Sequence, residues 1–435
     1  MKHFIIVILT LISSTAFAQL SPFISNNIQD STWYYDFETA DENPEKVQKF
    51  IFTYKINNLK KLKDYPNLEV LAIECYIKTI PKVLCELKNL KALSIPWSEL
   101  TELPDNFNQL KNLEVLILNH NDFKKLPDIL TQLPHLKCLH LINLSSLENP
   151  KEELERVVCN IPTLEELRYL MFSTDLTEIP EAISKLQNLK YLHIDAIHLQ
   201  EIPKVLGTLT NLEELYFGTP GLSRGPSIYP EFPKELCTLK KMETLSFRDI
   251  TIQAFPEEIS QLTNLKKLRI SIPKDFNTNS LLYLRNIHIE SMNIYFESGV
   301  KLITFPPEFC EIKTLQSLHI FTYRNISKLP ENFGNLVNLE YLSISCDSLR
   351  YFPESFCNLT KLNHLEFLST CNLEQLPECI NNFNNLEYLS LGKCNKLRPP
   401  IILNKLSKLK YLNISIVSGD KFDYQSYFYW DLLTY

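Results

Sequence analysis

Apolar residues recur along this chain with a period close to 23 residues, and each period has the same two halves. The first half reads L-x-x-L-x-[I/L/F], as in Leu113-Leu116-Leu118, and the second reads [L/I/F]-P-x-x-[L/I/F]-x-x-[L/I], as at Leu126-Pro127. A degenerate copy starts at Val47. The other fifteen copies open at Leu68, Leu90, Leu113, Leu136, Leu164, Leu189, Leu212, Met242, Leu265, Leu284, Leu315, Leu339, Leu362, Leu386 and Leu409.

The first half of the period predicts a short β-strand, because alternate side chains of a strand point to opposite sides. Leu116 and Leu118 then face the core, and Val115, Ile117 and Asn119 face outward. The second half predicts a turn, since proline fixes the backbone and lacks an N–H donor. One coil buries about seven apolar side chains at about 1.5 to 3 kcal/mol each, against an ordering cost of about 1.5 kcal/mol per residue. A lone repeat is therefore unstable, and the coils must stack into a parallel sheet.

This repeat resembles that of the leucine-rich repeat superfamily, in the class with L-P-x-x-[L/I]-x-x-L on the outer side. Plant disease-resistance receptors, Ras-binding scaffolds and many exported bacterial proteins carry similar repeats. The resemblance covers residues 47–415 and implies an α/β-type solenoid. The expected fold is a horseshoe of about 15 to 16 coils, with a concave parallel β-sheet and an irregular or short-helical convex side. Because the repeat is a packing motif, it specifies a fold and leaves the ligand open.

The first residues predict an export signal. Lys2 and His3 precede an apolar run, and Ala16-Phe17-Ala18 supplies the small residues that a signal peptidase requires. We expect cleavage after Ala18 and a periplasmic, cell-surface or secreted protein with no transmembrane segment in the mature chain. An N-terminal membrane anchor is the alternative. The predicted domains are a signal peptide (1–18), an N-terminal cap (19–46), the solenoid (47–415) and an aromatic C-terminal cap (416–435).

Composition narrows the function classes. The 435 residues include 72 Leu and only 8 Gly, and the net charge is -7, so glycine-rich phosphate loops and a nucleic-acid partner are disfavoured. The chain lacks the G-x-G-x-x-G, P-loop, H-E-x-x-H and C-x-x-C motifs. We therefore predict a protein that is not an enzyme and that has no cofactor.

Three irregularities interrupt the period. A stretch that begins at Pro150 predicts a short inserted helix, and the loop after Leu212 holds Gly218, Gly221 and Gly225. Between Leu265 and Leu315, one repeat is short and the next is long, so the register there is the least defined. These loops either carry function or reflect drift at the surface.

The cysteines fall into two repeat positions. One column of small residues, two positions before the Leu or Ile that follows the proline turn, contains Cys357, and its members are too far apart to bridge one another. Cys346, Cys371 and Cys394 fall near the turn position of Asn121, where a side chain must serve buried backbone. A disulfide between Cys371 and either neighbour is possible, and buried free thiols are the alternative.

The concave face is predicted to bind a partner, because aromatic and histidine residues are over-represented at the strand positions that flank the leucines. The alternative is that Tyr and His are merely tolerated on half-exposed strands. A metal site from His288, His319 and Glu290 is a further alternative, although no fixed ligand spacing supports it. The predicted partner-binding residues are Tyr191, His193, Asp195, Tyr216, Arg248, Lys267, Arg269, His288, His319, Phe321, Tyr341, His364, Tyr388 and Tyr411.

These observations favour a non-enzymatic, exported module that recognises a partner protein on its concave face. Glycan or cell-surface binding of the adhesin type is the second hypothesis, because tyrosines offer platforms for sugars. A structural envelope protein without a discrete ligand is the third. The oligomeric state and the identity of the partner stay open.

Overall fold

A computed structural model describes residues 33–53, 58–144, 146–171, 176–196, 199, 201–218, 231–297, 304–322, 326–346, 348–368, 372–393, 403 and 405–415. The chain divides into two compact units. The first unit comprises the described residues up to Asn121 together with Pro127–His140. The second comprises Asp122–Leu126 and the described residues from Leu141 onward.

In the first unit, each described strand pairs in parallel with the next one along the chain. The strands are β1 (Trp33–Tyr34), β2 (Lys49–Phe52), β3 (Val70–Ile73), β4 (Ala92–Ser94), β5 (Val115–Ile117) and β6 (Cys138–Ile142), which begins in this unit. A short helix, α1 (Phe37–Asp41), lies between β1 and β2. The carboxylate of Asp36 caps it by accepting the Thr39 N–H at 2.8 Å.

The second unit continues the same pattern of parallel pairing between consecutive strands. The strands are β7 (Glu166–Met171), β8 (Tyr191–Ala196), β9 (Glu214–Gly218), β10 (Thr244–Thr251), β11 (Lys267–Ile272), β12 (Ser291–Phe296), β13 (Ser317–Phe321), β14 (Tyr341–Ser345), β15 (His364–Phe367), β16 (Tyr388–Lys393) and β17 (Tyr411–Ser415). The helix α2 (Pro150–Arg156) begins at its proline, as predicted for the first insertion.

Short 3₁₀ helices lie between the strands, and most of them begin just after the proline of the repeat. Pro127, for example, precedes the turn Asp128–Gln132 with an extended backbone. The 3₁₀ helices are Pro44–Lys46, Leu59–Asp64, Lys82–Glu86, Phe107–Gln109, Asp128–Gln132, Val158–Asn160, Glu181–Lys185, Lys204–Thr208, Lys234–Thr238, Glu257–Gln261, Thr278–Leu284, Pro307–Glu311, Phe333–Asn335, Glu354–Asn358 and Glu378–Asn382. Parallel strands alternating with short helical turns confirm the predicted fold class, a leucine-rich repeat solenoid.

The leucines of each strand form the core. Leu116 and Leu118 are both fully buried, as the alternation predicts. Val115 and Ile117 point away from them, to the side of the sheet that we call the open face, yet they are only 3% and 6% exposed. In the first unit the open face is therefore not a solvated one. Its central residues form one apolar cluster, with half-buried Trp33 packed against it: Val70, Ala92, Val115, Ile117 and Cys138.

The turn after each strand needs side chains that satisfy backbone groups. The Asn121 amide donates to the Ile95 carbonyl at 2.8 Å, and its oxygen accepts the N–H groups of Ser98 and Leu100 at 3.3 and 3.0 Å. Cys346 takes the corresponding role in the second unit, where its thiol donates to the Ile326 carbonyl at 2.8 Å. The prediction that this position serves buried backbone is confirmed at both residues.

The column of small residues is also confirmed. A Cβ added to Gly207 would lie 2.6 Å from the Glu235 carbonyl oxygen of the following coil. At Gly334, an added Cβ would lie 1.9 Å from the carbonyl oxygen of Ser355. The column therefore faces the backbone of the next coil. The residue that it faces lies four positions before the Leu that follows the proline turn of that coil, as Glu235 lies before Leu239 and Ser355 before Leu359. Larger side chains are excluded from the column by this close approach.

That juxtaposition explains a disulfide that the sequence reasoning missed. Cys357 belongs to the column, and Cys379 occupies the facing position of the next coil. The two form a disulfide with a Cα separation of 5.5 Å. Column cysteines lie too far apart to bridge one another, whereas the facing position of the next coil is within bridging distance. The predicted partners Cys371 and Cys394 lie outside the described residues.

The predicted register between Leu265 and Leu315 is wrong. Leu284 ends a 3₁₀ helix, and β12 pairs with its neighbours through Leu268, Met292 and Leu318. Ile289 is therefore the residue that corresponds to Leu265 and Leu315. Leu284, Ile287 and Ile289 only resemble the strand motif. The strand itself begins at Ser291 and buries Met292, Ile294 and Phe296. The predicted glycine loop from residue 219 and the aromatic cap 416–435 lie outside the described residues.

Candidate binding surface

In the second unit, the strand register arranges the side chains of the open face in three rows. The first row contains Tyr191, Glu214, Thr244, Lys267, Ser291, Ser317, Tyr341, His364, Tyr388 and Tyr411. The second row contains His193, Tyr216, Ser246, Arg269, Asn293, His319, Ser343, Glu366, Ser390 and Asn413. The third row includes Asp195 and Gly218, and farther along Ser271, Tyr295, Phe321 and Ser345.

Four rings at the end of the first row form a continuous stack, which we call the ring stack: Tyr341, His364, Tyr388 and Tyr411. Successive ring centroids are 4.1, 4.0 and 4.3 Å apart, with interplanar angles of 14°, 6° and 8°. Neighbouring strands lie about 4.8 Å apart, which is close to a stacking distance, so rings at equivalent positions stack. The stack ends at Tyr411, which is 44% exposed, whereas its inner members are half-buried.

A second group of rings occupies the second and third rows. Tyr295 and Phe321 stack at 4.5 Å and 5°, and the guanidinium of Arg269 lies 4.6 Å from the centroid of Tyr295. His319 joins this group to the ring stack, because its ring centroid lies 4.7 Å from that of Tyr341. Six consecutive strands of the second unit, β12 to β17, therefore present rings on the open face.

The predicted residues at the start of the second unit form a separate polar cluster. The His193 Nε2 and Asp195 Oδ2 atoms are 3.2 Å apart, and the ring of His193 lies 5.4 Å from that of Tyr216. The Tyr191 hydroxyl donates to Glu213 Oε2 at 3.4 Å. The structure therefore divides the predicted surface into this polar cluster and the aromatic coils, with β10 and β11 between them.

Burial shifts the pKa values of these side chains in favour of their neutral forms. It raises the pKa of Tyr388 to about 12, with the negative charge of Glu366 as the next cause, and it raises the pKa of Tyr341 in the same way. Burial also raises the pKa values of Tyr191 and Tyr216 to about 12. The pKa of His319 is lowered to about 4, mainly by burial. At neutral pH the surface therefore offers neutral phenols and a neutral imidazole, which both donate and accept hydrogen bonds.

Two of the predicted residues do not fit the surface as expected. His288 lies just before β12, where its side chain is 66% exposed and its Nε2 is 3.6 Å from Glu290 Oε1. The predicted register placed His288 on a strand, but the strand begins only at Ser291. His288 therefore does not join His319 on the open face. Arg248 lies opposite Gly218 in β10, and its side chain is outside the described part of the chain.

Glu366 and Tyr295 were missed. Tyr295 was overlooked because the assumed register placed its strand too early. Glu366 occupies the second row on β15, two residues after His364, so counting by two from His364 would have found it. Its carboxylate accepts the Tyr341 hydroxyl at 3.4 Å and lies 3.7 Å from His364 Nε2. A nearly buried carboxylate therefore lies beside the ring stack.

The fold and this surface define a class: a leucine-rich repeat solenoid with a polar and aromatic open face. The family model described as a leucine-rich repeat region matches residues 48–157, 143–324 and 307–428. The chain therefore belongs to the leucine-rich repeat family, whose members are generally binding scaffolds. No curated protein matches it.

Two solved structures illustrate the likeness. A leucine-rich repeat protein of Leptospira interrogans is 25% identical, with a TM-score of 0.59 over 85% of this chain and 95% of that one. TLR13, solved in complex with ssRNA13, is 20% identical, with a TM-score of 0.55 over 87% of this chain and 55% of that one. The second likeness concerns the fold alone. Among the described residues, no helix is both long and apolar enough to cross a bilayer.

Proposed function

We propose that this protein is a non-enzymatic binding module that recognises a partner protein on the open face of its second unit. The observation that carries the proposal is the ring stack of Tyr341, His364, Tyr388 and Tyr411. Rings that are already stacked lose little conformational freedom on binding, so a preformed aromatic surface binds at low entropic cost. Tyrosine combines a large apolar area with a hydroxyl, which suits the centre of a protein interface.

The ring geometry favours a protein partner over a glycan. A sugar ring stacks on an open aromatic face, but the faces inside the ring stack are covered by neighbours 4.0 to 4.3 Å away. The stack instead presents ring edges and hydroxyl groups, which pack against irregular protein surfaces. Only Tyr411, at the end of the stack and 44% exposed, offers accessible area comparable to a sugar platform.

The charge of the chain disfavours a nucleic-acid partner. TLR13 was solved with an RNA, but this chain has a net charge of -7, and binding to nucleic acid depends mainly on neutralising phosphates with lysine and arginine. The rows of the open face mix Lys267 and Arg269 with Glu214 and Glu366. Mixed charge of this kind supports specificity toward another protein.

A second part of the proposal concerns localisation: the protein is exported. We infer that residues 1–18 form a cleaved signal peptide, followed by a cap at 19–46 and the repeats at 47–415, with 416–435 as a second cap. The support is the apolar run ending in Ala16-Phe17-Ala18. Exported protein that begins at Gln19 would agree with this inference, whereas a mature chain that still begins at Met1 would contradict it.

Affinity capture with the mature chain tests the binding proposal. The ring variant Tyr341→Ala/Tyr388→Ala is expected to lose at least tenfold in affinity for the captured protein while remaining folded. The matched control is Tyr283→Ala/Tyr351→Ala, because these tyrosines are 42% and 44% exposed and lie outside the open face. Equal losses in both variants, or none in the ring variant, would refute the proposed surface. A glycan array run in parallel tests the second hypothesis.

A further inference from the structure

Glu366 is a nearly buried acid that has no lysine or arginine partner among the described residues. Its residue is 5% exposed, and within the described part of the chain its carboxylate contacts the Tyr341 hydroxyl at 3.4 Å and the His364 Nε2 at 3.7 Å. Both contacts are long for hydrogen bonds to a carboxylate. A buried carboxylate is costly unless it is paired and fully hydrogen-bonded, so this environment leaves Glu366 under-compensated.

Other buried glutamates of the second unit are compensated by arginine. Glu166 is 2% exposed, and the Nε atom of Arg168 lies 3.1 Å from its carboxylate. Glu153 is 5% exposed, and its carboxylate lies 2.6 Å from Arg156 Nη2. Glu366 therefore differs from them in its partner and not in its burial. The fold provides a guanidinium at two such positions and an imidazole at 3.7 Å at the third.

The surroundings of Glu366 hold further unmatched polar atoms. Ser343 is 1% exposed, and its hydroxyl has no hydrogen-bond partner within the described residues; the same holds for His364 Nε2. Ser343 and Ser390 flank Glu366 in the second row, one on each neighbouring strand. Small serines therefore lie on both sides of the carboxylate, alongside the larger rings of the first row.

This arrangement matches the chemistry of an arginine side chain. A planar guanidinium has five N–H donors, and it meets a carboxylate in a two-pronged geometry. The acceptors nearby are the two oxygens of the Glu366 carboxylate and the Ser343 and Tyr341 hydroxyls. An ammonium group has three N–H donors, which is fewer than these four acceptor oxygens. The aliphatic part of an arginine would pack on the ring edges of Tyr341 and Tyr388.

We propose that Glu366 forms the floor of a subsite that accepts an arginine side chain of the partner protein, in preference to lysine. This inference rests on the proposed function, because it assigns the partner chemistry of the same surface. Burial and the charge of Glu366 raise the pKa values of Tyr341 and Tyr388 still further above neutral pH, so both phenols are hydrogen-bond donors beside the carboxylate. The site then has a single negative charge, and the partner supplies the positive one.

The test uses the mature chain and N-acetylarginine amide as the probe. Titration is followed through the ring-proton NMR resonances of His364, which are assigned with a His364→Asn variant. We expect a saturable shift, an affinity at least tenfold weaker in Glu366→Gln, and no saturable shift with the neutral analogue N-acetylcitrulline amide. The control Glu243→Gln should bind like the parent, since Glu243 is 49% exposed and pairs with Lys266 at 3.0 Å. No saturable shift, or equal binding by Glu366→Gln, would overturn the subsite.

A stability readout separates recognition from a structural role. Removing an under-compensated buried charge should leave the melting temperature of Glu366→Gln unchanged or raise it. A clear fall in melting temperature would mean that Glu366 supports the fold and would count against the subsite. Capture that depends on the ring stack, together with no arginine binding, overturns only the subsite. Arginine binding together with full capture by the ring variant refutes the proposed function and leaves the subsite in place.

Discussion

The open faces of the two units differ in the side chains at equivalent strand positions and in how deeply those side chains are buried. In the first unit, the first-row positions hold Val70, Ala92 and Val115, which lie in a buried apolar cluster. In the second unit, the equivalent positions at the far end hold Tyr341 and His364, which are half-buried and stack on one another. At the first-row positions, one backbone frame therefore supports either a buried or a half-exposed surface.

The largest expected effect comes from placing a charge at equivalent positions of the two faces. Val115→Asp should lower the free energy of unfolding by about 3 kcal/mol or more, because the cluster has no partner for a carboxylate. Ser317→Asp, in the first row of the second unit, should cost less than about 1 kcal/mol, since this position is partly exposed. Urea unfolding of both variants measures the difference. Similar costs would mean that the two faces are equally sealed.

A smaller effect concerns pH, and it sharpens how far the second face is buried. The pKa of His319 is about 4 in the folded protein, against 6.5 when unperturbed. The unfolded chain therefore binds more protons between these values, and stability present above pH 6.5 is lost as the pH falls toward 4. The loss at His319 is up to about 3 kcal/mol, since one pKa unit corresponds to about 1.36 kcal/mol.

The measurement is the free energy of unfolding between pH 7 and pH 4. His319→Gln should lose this part of the pH dependence, whereas His288→Gln should keep it, because the His288 side chain is 66% exposed. The main cause at His319 is burial, which the charge of Glu366 opposes and that of His364 reinforces. An unchanged pH profile in His319→Gln would show that its ring is more accessible than the structure indicates.

The smallest effect is expected in the ring stack. Tyr388 contacts the rings of His364 and Tyr411, and an aromatic pair contributes about 0.5 to 1.5 kcal/mol. Tyr388→Ala should therefore lower the free energy of unfolding by about 1 to 2 kcal/mol, and Tyr388→Phe by less than about 0.5 kcal/mol because the stack is retained. Thermal unfolding would report both values. A loss from Tyr388→Ala as large as that from Val115→Asp would assign the stack to stability instead of recognition.

The sequence predicted the repeated frame because the frame depends on local and periodic signals. Leucine spacing predicted the strands, and Pro150 predicted the start of α2. The repeat also predicted that the Asn121 side chain bonds to buried backbone, as it does. The failures came from contacts between neighbouring coils. The facing positions of Cys357 and Cys379, and the register of the strand with Tyr295, depend on how successive coils align, which no single repeat encodes.

The candidate surface was predicted only in part, because its residues follow the local repeat pattern but their alignment depends on neighbouring coils. Counting by two from the strand leucines found the residues of the ring stack, because they flank clear leucines. The pattern did not show that Tyr341, His364, Tyr388 and Tyr411 align in one row, since this follows from the register of four strands. Nor did it show that Val115 would be buried, because burial of an outward residue depends on its neighbours.

Footprinting of the complex between the mature chain and its captured partner tests the central claim most directly. Hydrogen exchange or carbene labelling should show protection on 341–345, 364–367 and 388–391, with Tyr283 and Tyr351 labelled as in the free protein. Protection that is confined to the first unit, or to the 3₁₀ turns of the second, would contradict recognition by the open face.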